Sequence, residues 1–513
     1  MLKVWSLVGL TISVLSVGAL RGMSASGSSP SVSTALQAPV SSGPGAASLQ
    51  ASGAAVARTP VAAQTRFSPY TSRQTLPGSL APQGGPPVSL NITWQGQQLD
   101  PIPVGSDFGL IPTPSVPGMY NLSMFVPATG QTELFLLGIP DAPLQPDAPL
   151  LVGFHQFSAS HGDVLFNTSF WDECQARGWY LLAPLSRGPV PSAPTDHFSA
   201  VSAQENTYHV WKWLVKHYPI DKDRMYGIGL SMGGGIVTSM ACRYLDPRGP
   251  MFAAVAELTG TVDIADSWFY ADAASRSFLE SIFGGTPAAV PFAYQQVSAV
   301  QLGSNHLWLF GGNHMSTNLG HMPLEIWHET GGPVPHLVNQ NVQLYQYMVS
   351  NGNLLVSEHA MATGTHGWTW DETVVCNDLN PHQLQLPLNG KLLIDRDARF
   401  YAFDVQQTTG GAFSRVNFTC TQATRTLELR NTENIEQIAF DPADLGILPA
   451  PGQNLKLQLQ ANDFGDEVVV RNLPSAPVSV LRDGVTSTAW SYAAGELTVN
   501  EAGTATHLWT VQY

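Results

Sequence analysis

From Pro149 onwards the apolar positions follow two alternating rhythms. Continuous apolar runs from Leu150 to Phe154, from Trp179 to Ala183 and from Arg224 to Leu230 have the length of strands. Between them, near Phe170 to Arg177 and Ala203 to Lys216, apolar residues recur three and four positions apart, which predicts helices. Strands apolar on both faces, alternating with amphipathic helices, imply a mainly parallel sheet covered on both sides. The alternation continues through Ala253 to Ala256, then Leu307 to Phe310 or Leu324 to Trp327, and a helix near Asn339 to Ser350, and ends near Cys376.

The flanks read differently. From Val88 to Leu137 short alternating stretches such as Leu90 to Trp94 and Tyr120 to Val126, separated by Pro and Gly, predict strands leading into the sheet. After Leu388 helical periodicity disappears, and Lys391 to Ile394, Thr426 to Leu429, Leu455 to Leu459 and Glu467 to Val470 predict an all-β unit. At the other end, Met1-Leu2-Lys3 precedes an apolar run to Leu20 and then small residues, the layout of a secretory signal. The Ser, Ala, Gly and Pro that follow, to about Gln64, are too polar and too small to offset the entropy of ordering. The expected organisation is a signal peptide over 1–25, a low-complexity linker over 26–87, a catalytic α/β domain over 88–387 and a β-rich domain over 388–513. A secreted, periplasmic or extracellular protein with no stable membrane insertion after signal cleavage is the corresponding expectation, since no later stretch is apolar enough to span a bilayer.

Charge narrows the partners. Only 12% of the residues are Asp, Glu, Lys or Arg, the net charge is −15 and no basic cluster exists, which argues against nucleic acid. The four cysteines, Cys174, Cys242, Cys376 and Cys420, allow two disulfides in an exported chain, but their spacing fits no metal site.

The chemistry centres on Gly229-Leu230-Ser231-Met232-Gly233, which fits G-x-S-x-G between an apolar strand and the helix-capable Ile236 to Tyr244. A sharp strand-to-helix turn needs small residues on either side of an exposed serine, and the new helix points free N–H groups at an oxyanion formed there. Ser231 needs a base. His366, in the Gly-rich Gly364 to Trp368 loop after the last βα unit, is the choice among 14 histidines, with His359 and His382 as rivals. The carboxylate that orients the base is expected between them in the chain. Glu329, directly after Leu324 to His328, is preferred, with Asp263 and Asp266 as alternatives. The oxyanion donors are the N–H of Met232 and that of Gln156 or Phe157 in the first βα loop. Trp268, Phe269, Tyr270 and Trp368 are placed in loops that offer an acyl or aromatic pocket lining, with core packing as the commoner fate of such residues. No metal or cofactor is required.

Pro149 to Trp368 resembles the polyhydroxybutyrate-depolymerase and feruloyl-esterase branch of the α/β-hydrolases. The likeness is carried by Pro149-Leu150-Leu151-Val152 leading to His155, Tyr218-Pro219-Ile220-Asp221 leading to the Arg224 to Gly234 elbow, Phe252 to Ala256, and His366-Gly367-Trp368. The resemblance implies an α/β-hydrolase domain with Ser231 as nucleophile and His366 as base; the smaller all-β domain expected after it rests on the strand pattern beyond Leu388. It implies two-step hydrolysis of a polyester, a feruloyl ester or a small ester. Two departures stand out: His155-Gln156 replaces the family's His-Gly, and His328-Glu329-Thr330-Gly331-Gly332-Pro333-Val334-Pro335 lacks the aspartate of H-G-x-x-D-x-x-V-P. The alternatives are a prolyl-oligopeptidase-like serine peptidase, disfavoured because residues 1–148 show no blade-like repeat, and a non-catalytic extracellular binding protein. The β-rich tail is read as a packing domain in preference to a substrate-binding module.

Overall fold

The computed structural model describes residues 93–94, 97–98, 117–141, 147–460, 466–501 and 504–513, all within a compact unit from Gln83 to Tyr513. The expected signal peptide and linker lie outside the described residues, as does most of the leading segment before Pro117; from it, β1 (Thr93–Trp94) pairs with β2 (Gln97–Gln98).

Eight strands form one sheet: β3 (Gly118–Val126), β4 (Gln131–Ile139), β5 (Ala148–Phe154), β6 (Tyr180–Pro184), β7 (Ile220–Leu230), β8 (Ala254–Leu258), β9 (Leu324–Glu329) and β10 (Val356–Met361). Their spatial order is β3-β4-β6-β5-β7-β8-β9-β10. β4 runs antiparallel to both of its neighbours, and every other pairing in this sheet is parallel. Nine helices accompany it among the described residues: α1 (Asp163–Phe166), α2 (Phe170–Arg177), α3 (Val201–His217), α4 (Met232–Arg243), α5 (Ile264–Tyr270), α6 (Ala273–Phe283), α7 (Pro291–Gln295), α8 (Pro335–Ser350) and α9 (Glu372–Leu379). The fold is that of an α/β-hydrolase.

The period-2 geometry of a strand explains why the central runs are apolar throughout. Leu150, Val152 and Phe154 of β5 join a core with Val210, Trp211 and Leu214 of α3 and Ile236, Val237 and Met240 of α4. Leu151, between them, points the other way, onto Phe170 and Cys174 of α2 and Val375, Cys376 and Leu379 of α9. The spacing of Val210, Trp211 and Leu214 puts them on one stripe of α3, and that helix stops at Tyr218, held extended (φ −119°, ψ 150°) by Pro219 after it.

Two expectations are corrected. Leu324–Glu329, and not Leu307 to Phe310, supplies the strand beside β8. Leu307, Leu309 and Phe310 are exposed, Phe310 at 90%, and the segment offers only an isolated bridge from Trp308 to Leu302. An apolar quartet becomes a strand only where a neighbour completes its ladder, which sequence pattern does not show. Trp268, Phe269 and Tyr270 lie in α5, not in a loop; Asp263 caps that helix by accepting from the N–H groups of Ala265 and Asp266.

After α9 the chain builds two further sheets, one of seven and one of six strands among the described residues. Alternating residues such as Leu455, Leu457 and Leu459 from the first sheet and Phe403, Val405 and Ile438 from the second share one core, the arrangement of a β-sandwich. Leu245 and Met251, which follow α4, belong to that same core. Asp395 receives Nε and Nη2 of Arg243 at 2.8 and 2.6 Å, with both side chains buried. Asn318 bridges to the backbone of Leu393 in both directions. The sandwich is thus packed onto the α/β domain through apolar, ionic and hydrogen-bonded contacts together. All four cysteines are buried free thiols.

Candidate active site

Because strands β5 to β10 run parallel, their following loops emerge at one carboxyl edge of the sheet, and the chemistry gathers there. β7 ends at Leu230 and α4 begins at Met232, so Ser231 alone makes the turn. It sits at φ 56° and ψ −116°, a left-handed conformation costly for any residue with a Cβ. Its backbone is held there by Ser231 N–H to Leu258 O (2.8 Å), Gly235 N–H to Ser231 O (3.1 Å) and Thr261 N–H to Ser231 O (3.0 Å). The two outer glycines of the motif are steric requirements. A Cβ on Gly229 would lie 2.2 Å from Gly233 O, and one on Gly233 would lie 2.2 Å from Phe154 O. The second contact also shows that the elbow abuts the end of β5, where the first βα loop begins.

Glu329, the last residue of β9, is buried and turned toward the loop after β10. Its Oε2 accepts from Nδ1 of His366 at 2.8 Å; its Oε1 accepts from Gly367 N–H at 3.0 Å and Thr369 Oγ1 at 2.9 Å. Burial pushes this carboxyl up, but the bonds from His366, Gly367 and Thr369 outweigh it and hold the group below the usual carboxylate range. With Nδ1–H committed to the carboxylate, Nε2 of His366 is left as the acceptor face of the ring. Ser231 Oγ and His366 Nε2 make no hydrogen bond with each other among the described residues; such contacts commonly tighten only when substrate binds.

The rival residues are engaged elsewhere. Asp263 caps α5 and takes Leu302 N–H at 2.7 Å, and burial pushes its carboxyl up to about 7. Asp266 accepts from His306 Nδ1 at 2.6 Å and from Gln340 Nε2 at 2.9 Å. His359, on β10, lies 2.6 Å from Glu325 and stacks on Trp327 at 4.0 Å. His382 follows α9, its N–H donating to Leu379 O.

In the first βα loop the two expected donors separate. Gln156 N–H is already given to Asp163 Oδ2 at 3.3 Å. The amides of Phe157, in that loop, and of Met232, which opens α4, donate to no protein group among the described residues. His155 steadies the loop from inside, its ring nitrogens lying 2.8 Å from Gln156 O and 2.9 Å from Leu185 O.

The rim is aromatic. Phe157 packs against Phe198 at 5.2 Å on one side. On another, exposed Phe269 and Tyr270 flank His306 at 5.0 and 4.9 Å, and Tyr270 stacks on His336 at 5.0 Å. Burial holds His336 below its ordinary range; the charge of Asp266 opposes this, and that of His366 adds to it. His306, His336 and Phe198 were not singled out from the sequence. Both His306 (φ 59°) and Phe198 (φ 42°) take left-handed backbone; histidine is among the residues enriched there, whereas nothing in its type marks Phe198 for such a turn. Among the described residues no group of His, Cys, Asp and Glu is arranged to hold a metal ion.

Beneath the elbow lies Glu257 of β8, buried, with Oε2 accepting from Gly260 N–H at 2.7 Å and Oε1 without a partner among the described residues. Burial pushes this carboxyl from 4.5 up to about 8. The folded protein therefore keeps a proton that the unfolded chain releases, and stability falls as pH rises from about 4.5 to about 8. Glu257→Gln removes that dependence, so the Tm of the variant relative to wild type rises between about pH 5 and pH 9. Parallel Tm profiles for the two proteins would show that Glu257 ionises freely in the folded state.

No protein-family model matches the chain, and no curated protein sequence does. Solved structures similar to it include an S-formylglutathione hydrolase from Agrobacterium tumefaciens, 13% identical, covering 52% of this chain and 92% of the other at a TM-score of 0.37. A ferulic acid esterase is 15% identical, covering 51% and 96% at a TM-score of 0.36. An acylaminoacyl peptidase from Pyrococcus horikoshii is 13% identical, covering 51% of this chain but 39% of its own, at a TM-score of 0.37. At these values the fold rests on the strand order described above.

Proposed function

We propose that this protein is an exported serine hydrolase of carboxylic esters that works through an acyl-enzyme, with Ser231, His366 and Glu329 as its triad. The observation that carries the reading is the joint geometry of the elbow and the acid: a strained Ser231 at the start of α4, and a buried Glu329 bonded to Nδ1 of His366 at 2.8 Å. In the reaction His366 Nε2 takes the Ser231 proton as Oγ attacks the ester carbonyl, and Glu329 stabilises the imidazolium. The free amides of Met232 and Phe157 receive the oxyanion. The alcohol leaves with the proton from His366, and a water activated by the same ring releases the acid. The exposed Phe269 and Tyr270 and the half-exposed Phe157 favour an ester with an apolar or aromatic acyl part, polymeric or small, in keeping with the polyhydroxybutyrate-depolymerase and feruloyl-esterase resemblance. Nothing in the proposed steps calls for a metal or cofactor.

The test is labelling of the purified protein with a fluorophosphonate, location of the adduct by peptide mass spectrometry, and turnover of short-chain nitrophenyl esters. The expected result is one adduct, on Ser231, with turnover. A folded protein that gives neither would be a binding protein on this fold, and the proposal would be withdrawn.

A further inference from the structure

Asp163 opens α1, nine positions past the end of β5 (154 to 163), and is buried. Its Oδ2 receives two donors from different parts of the chain, Gln156 N–H at 3.3 Å and Trp368 Nε1–H at 2.9 Å; its Oδ1 receives Asn167 Nδ2 at 2.7 Å. Gln156 precedes the amide assigned to the oxyanion, and Trp368 lies two residues beyond His366. One carboxylate oxygen thus joins the oxyanion loop to the loop of the base. From the other side Glu329 takes His366, Gly367 and Thr369, so the segment 366–369 is held alternately, with Trp368 as the sole member directed to Asp163. The indole is further seated on Phe170 at 6.2 Å and Trp370 at 5.8 Å.

We infer that Asp163 is a positioning residue of the proposed ester hydrolysis. It fixes the spacing between oxyanion amide and base, and by engaging Gln156 N–H it leaves Phe157 N–H as the loop's free donor. The inference rests on the serine-hydrolase reading. Both loops lack regular secondary structure, so a shared hydrogen-bond acceptor is what relates them, and a displacement of about 1 Å in such a site costs roughly 10²-fold in rate. The acceptor, and not the charge, does this, because every donor to it is a neutral N–H.

The experiment compares Asp163→Ala, Asp163→Asn, Trp368→Phe and the double variant Asp163→Ala/Trp368→Phe in folded protein, reading the fluorophosphonate rate constant on Ser231 and kcat and KM for a nitrophenyl ester. Asp163→Ala and Trp368→Phe are expected to lower the labelling rate and kcat by about 10- to 100-fold with KM changed less than about threefold. Asp163→Asn keeps an acceptor, with the Asn167 amide turned to suit, and is expected to stay within about threefold of wild type. The double variant is expected to be no slower than the slower single one, since both break the same link. Wild-type rates in Asp163→Ala, equal losses in Asp163→Ala and Asp163→Asn, or losses that multiply in the double variant would each overturn the inference. If Asp163→Ala does not fold, Trp368→Phe decides, because it deletes the one N–H and keeps an aromatic ring at the position. Wild-type protein unlabelled at Ser231 would remove the hydrolase reading itself, a result distinct from a labelled wild type whose variants are unaffected.

Discussion

Ser231→Ala is expected to abolish fluorophosphonate labelling and to lower ester turnover by on the order of 10⁵-fold while leaving Tm within about 2 °C of wild type. The large kinetic effect and the small thermal one have separate causes. The hydroxyl is the attacking group, and no other side chain at the elbow replaces it. Yet among the described residues Oγ makes no hydrogen bond, so no contact described there is lost with it. The strained backbone is the same for alanine, which also carries a Cβ, and its restraints run through Leu258, Gly235 and Thr261 main-chain atoms that the substitution leaves in place. Turnover reduced less than about tenfold in Ser231→Ala would mean that another nucleophile carries the reaction.

Glu329→Gln tests the acid. The amide is nearly isosteric, so the pocket stays filled, but it cannot both accept from Nδ1–H and stabilise a positive ring. A loss in kcat of on the order of 10³ to 10⁴ is expected, by analogy with removing the charge from the acid of a serine protease triad. Asp266→Asn and Asp263→Asn are the comparison. Asp266 orients His306 at the rim and Asp263 caps α5, so their kcat losses are expected to stay within about tenfold, with Asp263→Asn showing its effect in Tm. A loss deeper in either aspartate variant than in Glu329→Gln would move the acid away from Glu329.

The chain's legibility followed the range of the interactions involved. β5, β6 and β7 were readable because a strand buried on both faces needs an unbroken apolar run, and α3 because one stripe of a helix must be apolar. Ser231 was readable because its turn imposes glycine at 229 and 233. Glu329 was harder, since a carboxylate carries no mark of its partner. It was preferred only because it followed a strand, and the contact with His366 spans 37 positions. What stayed illegible depends on which neighbour a residue meets, at whatever separation. Leu307 to Phe310 looked as much like a strand as Leu324 to Trp327, and sheet neighbours decided between them. The engagement of Gln156 N–H by Asp163, and of Asp163 by Trp368 205 positions later, leaves no trace in spacing or composition.

The β-sandwich is joined to the α/β domain by more than a tether. Arg243 ends the helix that Ser231 caps, and among the described residues its ion pair is with Asp395, beyond residue 388. Cutting the chain there would strand a buried cation and bare Leu245 and Met251, so the tail is not a module to be shuffled onto another enzyme or trimmed to make a smaller one. For anyone shortening this protein, the smallest piece that keeps the nucleophile's helix intact includes the sandwich.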